Sequence, residues 1–99
     1  MKHYLINITY TAPLSKIDQI LPEHRKFLQE GYNSGLLLLS GPRNPRIGGI
    51  VLARSESKEN ITSFFDKDPY KINNCAIYEF IEFDPVKRQP MLDEWILGK

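Results

Sequence analysis

Cysteine is all but missing from this chain of 99 residues: Cys75 stands alone. It has no partner for an internal disulfide, and without spaced ligands it forms neither a zinc site nor a redox pair, so it reads as a small buried hydrophobe. Long apolar runs are also missing, and none approaches the length a bilayer demands. The opening stretch "MKHYLINITYTAP" alternates polar and apolar residues before it meets Pro13, unlike a signal segment. Together these features predict a cytoplasmic protein of a reducing compartment. No charge of one sign dominates. With 13 basic and 12 acidic residues the formal charge is +1, spread without long runs, so there is no basic stripe for nucleic acid or for an anionic membrane surface. No spaced metal ligands occur, and neither a metal nor a cofactor is expected. Internal repeats, linkers and low-complexity segments are absent.

What is present describes one ordinary domain over residues 1–99, with 41% hydrophobic and 25% charged residues, near the size at which partners help. From His3 to Tyr10 the apolar period is two, which predicts a first strand with Tyr4, Ile6, Ile8 and Tyr10 on one face. Ser15 and Asp18 resemble a capping box with Asp in the place of Glu, and helical spacing then continues through Tyr32. Pro22 predicts a kink or restart within that helix. "LLLLS" (36–40) is short and continuously apolar, as in a strand covered on both faces. "GPRNPRIGG" (41–49) reads as a loop, and "IVLAR" gives a third strand from about Gly49 to Arg54. Ser57 can cap a second helix with Ile61, Phe64 and Phe65 inward, stopped by Pro69. "CAIYEFIEFD" (75–84) is a fourth strand, with Cys75, Ile77, Ile81 and Phe83 on one face and Ala76, Tyr78 and Phe80 on the other. Residues 85–99 form a tail with one short helical turn anchored by Trp95.

The order β-α-β-β-α-β predicts an α+β, ferredoxin-like fold: a four-stranded antiparallel sheet with two helices on one face. Two helices cover only one face. The second would expose a large apolar patch, which predicts a sheet-to-sheet homodimer with the tail at the dimer interface, crossing to the partner. RNA-recognition motifs share this element order, but the stretch comparable to their aromatic strand is Arg46-Ile47-Gly48-Gly49-Ile50-Val51, with isoleucine where the stacking aromatics belong.

One residue breaks the apolar pattern of the first helix. His24 falls in line with Ile17, Ile20, Leu21, Phe27 and Leu28, on the face that should be buried. Either it is a core histidine bonded to a backbone carbonyl, or it is a general acid-base, which requires a partner. "DKDPY" (66–70) supplies a candidate in Asp68, held extended by Pro69; Asp-Pro is also common turn chemistry. A carboxylate on one imidazole nitrogen fixes the tautomer and raises basicity at the other. In "SGPRNPRIGG", Arg43 and Arg46 offer forked donors suited to a carboxylate or phosphate, or are solvated loop residues. The loop matches neither GxGxxG nor GxxxxGK[ST], so nothing here supports a nucleotide. Tyr70 and Tyr78 can bond a ligand or simply pack.

Three stretches in order, "PEHRKFLQEGYNSGLLLLSGP", "GGIVLA" and "DKDPY", together resemble the YciI-like proteins, the YCII-related domain family, and the tail "FDPVKRQPMLDEW" is similar to that of one subgroup. The resemblance implies small dimeric proteins of ferredoxin-like fold, related to muconolactone isomerase. It also implies a site at His24 and Asp68 beside Ser40, Gly41 and Pro42. On this reading the ring sits among core residues because it lines a pocket. The function expected is a cofactor-free lyase or isomerase that uses a His–Asp dyad on a small anionic molecule. The alternative is a non-catalytic module that binds a metabolite or serves as a subunit.

Overall fold

The computed structural model describes residues 1–99. Its elements are β1 (Lys2–Tyr10), α1 (Leu14–Asn33), β2 (Leu37–Pro42), β3 (Gly48–Ser55), α2 (Lys58–Phe65), α3 (Pro69–Ile72), β4 (Ala76–Phe83), a 3-10 turn (Pro90–Leu92) and α4 (Asp93–Ile96). The strands form one sheet in the order β2-β3-β1-β4, and every neighbouring pair is antiparallel. This is the βαββαβ arrangement, an α+β fold. No helix is long and apolar enough to cross a membrane.

Period two in β1 sends Tyr4, Ile6 and Ile8 under the helices, and the register aligns them with Ala53, Val51 and Gly49 of β3. On α1, Ile17, Ile20, His24, Phe27 and Gly31 form the buried stripe. Ile61 and Phe65 of α2 close the core, where Phe27 stacks on Phe64 at 4.4 Å and meets Phe65 edge-on. Gly31 has no side chain because a Cβ there would lie 2.7 Å from Leu37 and 2.8 Å from Phe64. The helix crosses the sheet at that point.

Several expectations are corrected. The capping box does not form: α1 starts at Leu14, its N-cap Pro13 makes no side-chain bond, and Asp18 instead accepts from Arg46 at 2.6 Å. Nor does the helix restart at Pro22; α1 runs through it, with Ile20 before it and His24 after it both buried. β2 is an edge strand with an irregularity between Leu37 and Leu39, and Leu39 is 51% exposed, so this leucine run is not covered on both faces. β2 and β3 extend into the expected loop and leave only residues 43–47 between them. Cys75 does not share a face with Ile77. Asn74 adopts φ 54°, which resets the alternation, and Cys75 is fully buried ahead of β4.

α2 ends at Phe65, short of Pro69, and Pro69 instead begins α3, whose N-cap is Asp68. Proline suits the first position of a helix because its missing N–H would have no partner there. The tail lies on its own chain's sheet. His3 Nε2 donates to the carbonyl of Ile96 at 3.0 Å, Arg54 donates to that of Trp95 at 2.5 Å, and the Arg54 guanidinium lies 5.0 Å from the centre of the indole.

Candidate active site

Asp68 is fully buried, and its carboxylate is surrounded by donors. Oδ1 accepts from His24 Nδ1 at 2.8 Å and from the backbone N–H of Tyr70 at 3.0 Å, while Oδ2 accepts from the hydroxyl of Tyr78 at 2.6 Å. Each donor comes from a different part of the fold: α1, the first turn of α3, and β4. The local sequence explains the convergence. Asp-Pro holds Asp68 at the extended N-cap geometry (φ −63°, ψ 125°), and Tyr78 shares the inner face of β4 with Ala76 and Phe80.

An ionised carboxylate only accepts hydrogen bonds. His24 Nδ1 therefore carries its proton toward Asp68, and Nε2 is left without a partner in the chain. Tyr70 stacks on the imidazole at 4.0 Å with 15° between the planes, covering one face of the ring. Such a face-on aromatic favours the ring when it becomes cationic. Tyr70 itself is buried, Tyr10 meets it edge-on, and its hydroxyl has no hydrogen-bond partner. Burial pushes both Tyr70 and Tyr78 above the ordinary tyrosine range; the next cause is Tyr10 for Tyr70 and the Asp68 charge for Tyr78. Tyr78 thus stays a donor to Asp68 at any physiological pH.

His24 and Tyr70 line a cleft of about 520 Å³ between α1 and the β2 side of the sheet, a volume suited to a small organic molecule. Ser40, Gly41, Pro42 and Arg46 line it from the strand side. Ser40 Oγ is bonded to the hydroxyl of Tyr32 at 2.6 Å. Arg46 bridges to Asp18 on α1, and that bond raises the proton affinity of its guanidinium further. Arg43 is not at the cleft. Its backbone N–H bonds the carbonyl of Gly48 at 2.8 Å and closes the hairpin. Asp18, Leu21, Arg25 and Leu28 also line the cleft. The sequence reading missed Arg25, although its spacing from Asp18, Leu21 and Leu28 (i, i+3, i+7, i+10) places all four on one helix face. No cluster of three His, Cys, Asp or Glu side chains able to hold a metal forms in the chain.

The family model of the YCII-related domain matches residues 1–84. The chain belongs to that family. A search of curated proteins finds no match. Among solved structures, this YCII-related chain is similar to 5-chloro-2-hydroxyhydroquinone dehydrochlorinase from Burkholderia phenoliruptrix AC1100, solved in complex with 2,5-dihydroxybenzoquinone. The TM-score is 0.64 at 18% identity, covering 78% of this chain and 90% of that one. At that identity the likeness establishes a shared fold. The matched family region contains the whole His24–Asp68–Tyr78 assembly and ends before the tail.

Tyr78 offers a direct check on the assembly. Its raised pKa means that the folded chain holds this proton where the unfolded chain releases it. The stabilisation is complete below the ordinary tyrosine value of about 10 and is lost as pH rises above it. Tyr78→Phe is expected to lose about 1.5–3 kcal/mol at neutral pH, the worth of a hydrogen bond to a charged acceptor. It should also show a shallower alkaline decline than the wild type in urea melts across pH. Equal curves for the two proteins would contradict the bond.

Proposed function

We propose that this YCII-related protein is a lyase or isomerase that moves a proton on a small anionic molecule without a cofactor. The observation that carries the reading is the 2.8 Å bond from His24 Nδ1 to the buried Asp68, in the wall of a cleft, with Nε2 unbonded. His24 takes or gives the proton at Nε2. Asp68 keeps Nδ1 protonated and balances the charge of the imidazolium when it forms, which is the role a buried carboxylate plays behind a catalytic histidine. Tyr78 and the Tyr70 backbone fix Asp68 in turn. Ser40 Oγ and the backbone of Gly41 and Pro42 offer further contacts, and Arg46, paired with Asp18, lines the cleft beside them. Arg43, held away from the cleft, is given no part.

The structural neighbour acts on a chlorinated trihydroxylated ring, which makes a ring compound the first substrate to try. The test is to incubate the protein with 5-chloro-2-hydroxyhydroquinone and measure chloride release, and with small lactones in deuterated water to follow exchange at carbon. Turnover that disappears in His24→Ala supports the proposal. Ligands that bind and are recovered chemically unchanged point to a metabolite-binding module instead.

The same proposal includes a cytoplasmic homodimer. Its support is the sheet face away from the helices, where Ile77 is 63% and Ile81 42% exposed on one edge strand and Leu39 is exposed on the other. Monomers rarely leave such a surface open. Sedimentation at micromolar concentration should give twice the chain mass, and Ile81→Glu should shift it to the monomer; a wild type sedimenting at 11.5 kDa would remove the dimer from the account.

A further inference from the structure

The cleft wall is uneven in charge, and its charges differ in how they are used. Arg46 is committed to Asp18 at 2.6 Å, so these two largely cancel. Arg25 also lines the cleft, yet it takes part in none of the five salt bridges of the chain. Its isolation is a matter of sequence. The helix neighbours three and four residues away are Leu21, Pro22, Leu28 and Gln29, none of them acidic. Among the side chains that line the cleft, Arg25 thus carries the one positive charge with no acid paired to it.

A second, independent feature lies in the same wall. Tyr70 is 1% exposed, and its hydroxyl has no partner in the protein. A buried hydroxyl left unbonded costs stability. Tyr70 is nevertheless held firmly, by the stack on His24 and by its N–H on Asp68. The hydroxyl has no accessible surface in the free chain, so a ligand oxygen reaches it only by displacing the wall beside it, and such an acceptor would satisfy the unbonded donor.

Building on the acid-base reading, we infer that the cleft selects a singly charged organic anion, whose anionic group pairs with Arg25 and whose acceptor oxygen receives the Tyr70 hydroxyl, beside His24 Nε2. Arg25 sets the charge of the ligand and Tyr70 its orientation, while the Asp18–Arg46 pair rejects a second negative charge by presenting a carboxylate already in place. A dianion would have to break that pair to be neutralised.

The inference is tested by binding alone, with no turnover required. Benzoate, benzamide and phthalate are titrated into the purified protein and followed by NMR at His24 and Tyr70. Benzoate should bind at least about tenfold more tightly than either of the others. Arg25→Gln should weaken benzoate by about ten- to hundredfold, the effect of losing a charge-assisted bond, and leave benzamide unchanged, with Arg25→Lys intermediate. Tyr70→Phe should weaken benzoate while raising the melting temperature of the free protein, because it removes the unbonded hydroxyl; a merely structural tyrosine would give the opposite shift. Benzoate affinity unaffected by Arg25→Gln, phthalate binding best, or no benzoate binding at millimolar concentration would each overturn the inference. Loss of benzoate selectivity with His24-dependent turnover intact removes the anion assignment alone. Normal benzoate selectivity with no His24-dependent turnover removes the acid-base reading alone.

Discussion

His24→Ala should leave a folded protein whose turnover on an identified substrate falls by about a hundredfold to ten-thousandfold, the usual loss when a general acid-base is removed. The fold should survive because the other two donors to Asp68, the Tyr70 N–H and the Tyr78 hydroxyl, come from elements that do not depend on the imidazole. The α1 stripe also keeps Ile17, Ile20 and Phe27. The void left by the ring adjoins the cleft, so free imidazole added to the variant should restore part of the rate. That recovery separates a lost catalytic group from a collapsed site. A variant that retains full turnover would leave the enzymatic proposal without its base.

Asp68→Asn should lower both stability and activity. Three donors converge on the carboxylate. An asparagine offers one acceptor oxygen and one amide nitrogen, so its own N–H groups must face at least one existing donor. Leaving a buried donor unsatisfied costs about 1–3 kcal/mol, and with at least one of the three affected the loss should be up to about 3 kcal/mol. In a domain of this size that lowers the melting temperature by up to roughly 15 °C. The rate should fall as well, because a neutral amide no longer balances the charge of the imidazolium. Asp68→Asn matching the wild type in both measurements would mean that the buried carboxylate is not the centre of the assembly.

These expectations rest on features that the sequence shows unequally. β1 and β4 are visible as period-two runs because one face of each is covered and the other is not. His24 stands out because an ionisable ring interrupts an apolar stripe, and Asp68 because Asp-Pro restricts the backbone. What the sequence hides depends on partners far along the chain. Asp18 looks like a helix cap until Arg46, 28 residues later, takes its carboxylate. Tyr78 reads as packing until its hydroxyl is found on Asp68. One left-handed residue, Asn74, turns Cys75 from the face of Ile77 into the core, and nothing short of the turn itself reveals that. Leu39 is apolar yet on an edge strand, since strand order is set by pairing and not by local pattern. Arg25 carries a readable helical spacing, but that spacing has meaning only once the cleft is known to lie on that face.

The central claim is that Asp68 holds the proton of His24 on Nδ1 and leaves Nε2 free at the cleft. Nitrogen-resolved NMR of the imidazole tests it most directly, in the wild type and in Asp68→Asn. In the wild type the neutral form of the ring should carry its proton on Nδ1, and in the variant the ratio should shift measurably toward the Nε2–H form. A wild-type ring in the Nε2–H form, or the same tautomer ratio in both proteins, would contradict it.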